Sequence, residues 1–176
     1  MIMWISVAIA VCLLLPLFWL LRLGRVDYQD RASKLADVNR LPLIEAEKRA
    51  RSLLEDSETY HCIASTSVRW DGDPGLPEAL KRLFMQYERV EASVQPGLVL
   101  DRNLLEHLTA PRNVLVIGHG LHGADIEFDI GVYPLHEEVI EFHSGEAPDR
   151  KFGTYTSVFH LLLAAAQSNR IVSVRQ

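Results

Sequence analysis

Asn113–Ile130 reads NVLVIGHGLHGADIEFDI, and the fold turns on how this stretch divides. NVLVI, Asn113 to Ile117, is a short apolar run rich in β-branched residues and suits a largely buried strand. In DIEFDI, Asp125 to Ile130, the apolar Ile126, Phe128 and Ile130 alternate with Asp125, Glu127 and Asp129. That period of two predicts a strand with one face inward and an acidic face outward. Between them lies Gly118–Gly123, GHGLHG, whose three glycines in six residues offer the backbone freedom of a turn. Strands joined by so short a connection run antiparallel.

Working outward, Glu138–His143 predicts a third strand with Ile140 and Phe142 on one face. Thr154 to about Gln167, TYTSVFHLLLAAAQ, predicts a closing helix, with Thr156 or Ser157 as N-cap and Phe159, Leu162, Leu163 and Ala166 as its apolar stripe. Upstream, Pro77 opens a helix to about residue 88, with Leu80, Leu83, Phe84 and Tyr87 at i, i+3, i+4 and i+7. Leu43–Asp56 predicts another amphipathic helix, braced by Glu45/Arg49 and Glu47/Arg51 at i,i+4. Tyr60, Cys62 and Ala64 alternate as in a strand, as do Val90 and Ala92. The fold class expected is α+β, an antiparallel sheet with flanking helices.

A different physics governs the start of the chain. Ile2–Leu21 holds twenty residues without a charge. As a helix it spans about 30 Å, the hydrocarbon thickness of a bilayer. Neither a basic segment before it nor a small-residue cleavage site after it marks a cleaved signal peptide. The expectation is a transmembrane anchor over residues 1–23, a polar linker over 24–42 and a globular domain over 43–176. Arg22, Arg25, Arg31, Lys34 and Arg40 all follow the apolar run, which by the positive-inside tendency puts the domain in the cytoplasm. Cys12 lies within the run, leaving Cys62 without an evident disulfide partner.

The formal charge is −5, and the chain beyond residue 25 carries −7. Nucleic-acid binding needs clustered cations, so it is not expected of this domain. His119 and His122, with Asp125 nearby, could begin a metal site for a hydrolase, but HExxH and CxxC patterns are missing. GxSxG and the glycine-rich phosphate loops are missing too. The strand-connection reading of GHGLHG is therefore preferred, with no catalytic residue, metal or cofactor assigned. Asp125, Glu127 and Asp129, together with Glu137, Glu138 and Glu141, concentrate negative charge that could dock a basic protein.

The order of these motifs resembles the SUKH superfamily over about residues 75–167. Gly75-Leu-Pro77 opens a helix, NVLVIGHGLHGADIEFDI and EEVIEFHSGE follow, and Ser157, Phe159, Leu162 and Leu163 sit in the closing helix. The resemblance implies a non-catalytic α+β protein-binding domain, either an immunity protein that neutralises a toxin or an adaptor. The partner would then be a protein, a basic toxin or a subunit of a membrane complex. The bilayer would hold residues 2–21, at the bacterial inner membrane if the resemblance carries over. The alternative is a membrane-associated metallohydrolase built on His119, His122 and neighbouring carboxylates.

Overall fold

The computed structural model describes residues 35–66, 75–93, 97–106, 114–122, 126–143 and 151–174. The apolar run over 2–21 lies outside them; among the described residues no helix is long and apolar enough to cross a membrane. The chain divides into two compact units, Met1–Asp37 and Val38–Gln176, and the whole sheet lies in the second.

That unit runs α1 (Leu43–Leu54), β1 (Tyr60–Ala64), α2 (Glu78–Gln86), β2 (Tyr87–Ala92), β3 (Leu98–Asp101), a 3-10 segment (Arg102–Glu106), β4 (Leu115–His122), β5 (Ile126–Val132), β6 (Val139–His143), β7 (Lys151–Tyr155) and α3 (Val158–Val174). The seven strands form one sheet in chain order, each antiparallel to the next. This is the α+β meander with flanking helices that the alternation of apolar residues predicts.

Register sorts the side chains between two faces. Tyr60 is buried and its hydroxyl donates to the Leu162 carbonyl of α3 at 2.6 Å, so this face of β1 looks toward the helices. Following the pairing outward, Val90, Ala92, Leu98, Leu100, Phe128, Ile130, Val132, Val139 and Tyr155 share that face, all buried. The helices contribute Ala46, Ala50, Leu54, Leu80, Leu83, Phe84, Phe159, Leu162 and Ala166 to the core. Burying each large side chain stabilises the fold by about 1.5–3 kcal/mol before entropy is counted.

Polar links hold the helices to one another. Glu47 on α1 accepts from Arg51 at 2.8 Å and reaches Arg82 on α2 at 2.9 Å, while Arg51 lies 5.9 Å from the ring centre of Phe159 on α3. Two boundaries depart from the sequence reading. Tyr87 completes the helical stripe in sequence but is already extended (φ −129°, ψ 136°) and starts β2 opposite Ala64, so α2 passes into a strand without a loop. Lys151–Tyr155 forms β7, and its last two residues, which the reading gave to the closing helix, stay extended because pairing with Val139 buries Tyr155 before the helix can begin.

The expected linker also ends early. Val38 is buried, and the Asn39 side chain donates to the Thr154 carbonyl at 2.9 Å and accepts from the Thr156 N–H at 3.0 Å. Val38 and Asn39 thus make contacts within the domain that composition alone would start at Leu43.

Candidate functional site

The glycines of GHGLHG do something other than turn. Gly118, His119, Gly120, Leu121 and His122 are all residues of β4, and any reversal falls at 123–125, outside the described residues. A Cβ on Gly118 would sit 2.2 Å from the Val99 carbonyl oxygen and 2.9 Å from the Leu100 side chain. One on Gly120 would sit 2.3 Å from Phe128 Cζ, with two more ring carbons at 2.8 and 3.0 Å. The Phe128 ring lies across Gly120, its direct partner on β5, filling the space that a side chain would need. These glycines are there for close approach, so the turn reading of Gly118–His122 is corrected to strand.

Alternation then sends His119 to the face away from the helices. The pairing His61–Glu91–Val99–His119–Asp129–Phe142 runs across that outer face, with Leu121 opposite Glu127 one step along. Glu127 and His119 are exposed and Asp129 is half-buried. Toward β1 the face carries a balanced set: Arg89 pairs with Glu91 at 3.0 Å and with Asp101 at 3.8 Å. Toward β6 it closes over an apolar cluster of Val114, Ile140 and Phe142, with Val116 and Tyr133 partly buried against it. Gly131 admits this cluster, since a Cβ there would lie 2.4 Å from Val114 and 3.1 Å from Phe142. Glu127 and Asp129 therefore stand where the face changes from ion-paired to apolar.

The six acids singled out in the sequence do not share one surface. Asp125 lies outside the described residues. Glu127 and Asp129 share the outer face of β5, as the alternation requires. Glu137 is occupied: its carboxylate accepts from the backbone N–H groups of Glu78 at 2.8 Å and Ala79 at 3.3 Å. It caps α2, whose own N-cap is Pro77 and offers no side-chain acceptor. Glu138 pairs with Lys151 at 3.2 Å. Glu141 is the correction: it is 3% exposed and lies on the helix-facing side, opposite Ile130 and Gly153. Both faces of β6 are covered, Ile140 and Phe142 by the outer cluster, so period-two alternation there does not mark an exposed side.

His119 and Asp129 are direct cross-strand partners, which gives two metal-ligand types in one place. His122 ends β4, and its side chain lies outside what the structure describes. Among the described residues no group of three or more His, Cys, Asp or Glu could hold a metal ion. Cys62 is half-buried beside the Leu54 carbonyl, and burial pushes its thiol up to about 11, away from nucleophilic use.

A serine–histidine pair that the sequence reading passed over does exist. Ser157 Oγ lies 2.8 Å from His160 Nδ1, and His160 Nε2 lies 3.0 Å from the Leu41 carbonyl; both residues are fully buried. A carbonyl only accepts, so Nε2 carries the proton and Nδ1 receives the Ser157 hydroxyl. Every polar atom of the pair is thereby engaged, and it clamps residues 38–41 to the start of α3. The signal was the Ser-x-x-His spacing at a helix start, an N-cap with its N3 residue.

One backbone feature had no sequence signal. Tyr133-Pro134-Leu135-His136 is a turn closed by the His136 N–H on the Tyr133 carbonyl at 3.1 Å, with Leu135 at φ 67°. Leucine at a left-handed position costs about 1–2 kcal/mol. Its side chain is 80% exposed, so no packing within the domain offsets that cost. The turn is held by the Leu135 N–H on the Gly75 carbonyl at 2.8 Å and by the Glu137 cap on the start of α2. Compared with known proteins, the chain matches no family model, no curated protein and no solved structure.

Proposed function

We propose that this chain is a membrane-tethered, non-catalytic protein-binding module of the immunity or adaptor type. It docks a basic partner through the outer face of β5. The observation that carries the reading is the position of Glu127 and Asp129, two carboxylates on one outer sheet face, at the border between the Arg89 ion pairs and the apolar cluster. Carboxylates so placed steer a cationic partner, and the adjoining apolar cluster supplies a boundary that a docked surface would extend. The apolar run over 2–21 supports the tether, and the cations that follow it support a cytoplasmic domain.

The test is charge reversal in the full-length chain. Glu127→Lys with Asp129→Lys should cut recovery of the co-purifying partner at least tenfold and leave the unfolding midpoint within a few degrees of wild type. Undiminished recovery of the same partner would remove this face from the account.

A further inference from the structure

The edge of the sheet at β1 points to a second interface. Among the described residues β1 ends the sheet and pairs with β2 alone. The Thr59 carbonyl accepts from the Ser93 N–H at 3.0 Å, which sets the alternation of the ladder. His61 and Ile63 turn their backbone groups toward β2, whereas Tyr60 and Cys62 turn theirs outward. In keeping with that, the Tyr60 N–H leaves the sheet and donates to the Asp56 carbonyl at 3.0 Å. Beyond that bond, the outward Tyr60 carbonyl and the N–H and carbonyl of Cys62 meet no backbone partner among the described residues.

Sheet edges usually carry a device against pairing: a lysine, a proline, an inward charge or a cover. Tyr60–Ala64, YHCIA, contains no lysine, proline or acid, and His61, Ile63 (55%) and Ala64 are exposed. The other edge is treated differently, since Lys151 begins β7 and the Asn39 side chain takes its Thr154 carbonyl.

We infer that β1 pairs antiparallel with β1 of a second copy of this chain, about a two-fold axis through Cys62. The strand is its own complement. Such pairing sets the N–H and carbonyl of Cys62 against the same groups of its copy, Tyr60 against Ala64 and His61 against Ile63. Charge selects the direction. Glu55, Asp56 and Glu58 precede the strand and Ser65 and Thr66 follow it, so antiparallel pairing lays acids beside hydroxyls where parallel pairing would stack acid on acid. In a chain of net charge −5, an uncharged edge is also where two copies approach with least repulsion.

The test uses full-length chains in mild detergent carrying Cys12→Ala and Cys62→Ala, one preparation with His61→Cys and the other with Ile63→Cys. Opposed residues of an antiparallel pair have Cα atoms about 4.5–5.5 Å apart, within disulfide reach, whereas the diagonal pairing of like positions lies at about 7–8 Å. On oxidation, covalent dimer should form at least tenfold more in the mixture than in either preparation alone. Equal or no cross-linking in the mixture overturns the inference, and so does a dimer by mass that fails to cross-link there. Independently, Ile63→Lys should convert the Cys-containing wild-type dimer to single chains by sedimentation. A wild type that sediments as single chains at about 100 µM, above a micromolar Kd, also overturns it.

Discussion

Gly120→Ala isolates the reason the GHGLH segment is a strand. The added methyl would meet Phe128 Cζ at 2.3 Å and two further ring carbons at 2.8 and 3.0 Å. Phe128 is 3% exposed and carries the core of β5, so the ring has little room to swing away. Overpacking of this kind costs about 1–3 kcal/mol, and three contacts at or below 3.0 Å place it at the upper end. Against that, alanine restricts the unfolded chain and returns about 0.5–1 kcal/mol. The net expectation is a loss of about 2 kcal/mol, read by urea unfolding as a shift in midpoint at constant slope. Phe128→Leu alone should also destabilise. In Gly120→Ala/Phe128→Leu the methyl occupies space the ring has left, so the double variant should be at least about 1 kcal/mol more stable than the sum of the two losses implies. A Gly120→Ala loss below about 0.5 kcal/mol, or strict additivity, would show that the ring does not hold the glycine and that this account of β4 is mistaken.

Four further outcomes are expected. Glu137→Ala should cost about 1 kcal/mol by removing the acceptor for the Glu78 and Ala79 N–H groups, and a change under about 0.3 kcal/mol in thermal unfolding would deny the cap. Leu135→Gly should stabilise by about 0.5–1 kcal/mol, the relief of a positive φ less the added freedom of the unfolded chain, whereas a loss would show that the exposed side chain has a packing role. Cys62, with its thiol near 11, should react with iodoacetamide at pH 8 on the order of a hundredfold more slowly in the folded protein than in urea, in a Cys12→Ser background; equal rates would place the thiol in solvent. Burial would raise the Glu47 carboxyl, but hydrogen bonds and charge from Arg51 and Arg82 prevail and hold it below its ordinary 4.5. Its contribution is therefore complete above 4.5 and lost as pH falls further, so stability measured from about pH 5 to 3 should decline less steeply in Glu47→Gln than in wild type.

Sequence carried the parts of this fold that depend on one periodicity at a time. DIEFDI showed its buried and open faces because only one side of β5 meets the helices at Phe128 and Ile130. The amphipathic stripe at Leu80, Leu83 and Phe84 likewise located α2. What sequence concealed came from elements that serve two neighbours. Gly118 and Gly120 look like turn residues, and only the cross-strand position of Leu100 and Phe128 shows that they make room. Glu141 looks exposed beside Ile140 and Phe142, yet β6 is covered on both faces and the acid points inward. Glu137 looks like one member of an acidic cluster, until the β5–β6 loop brings it to a helix start 58 residues earlier in the chain. Leu135 carries no mark of its left-handed backbone, since Pro134 favours many turns and leucine favours none of this kind.

The central claim, that the outer face of β5 meets a basic protein, is tested most directly by site-specific photocross-linking in membranes. A photoreactive residue replacing Glu127 on that face, and in a separate preparation Met85 on α2, which is 63% exposed, would be irradiated in cells and the adducts sequenced. The account predicts one recurrent adduct with a basic polypeptide from position 127, lost when Asp129 is reversed to lysine and not formed from position 85. Adducts of equal yield from both positions, or an adduct at 127 indifferent to Asp129, would contradict it.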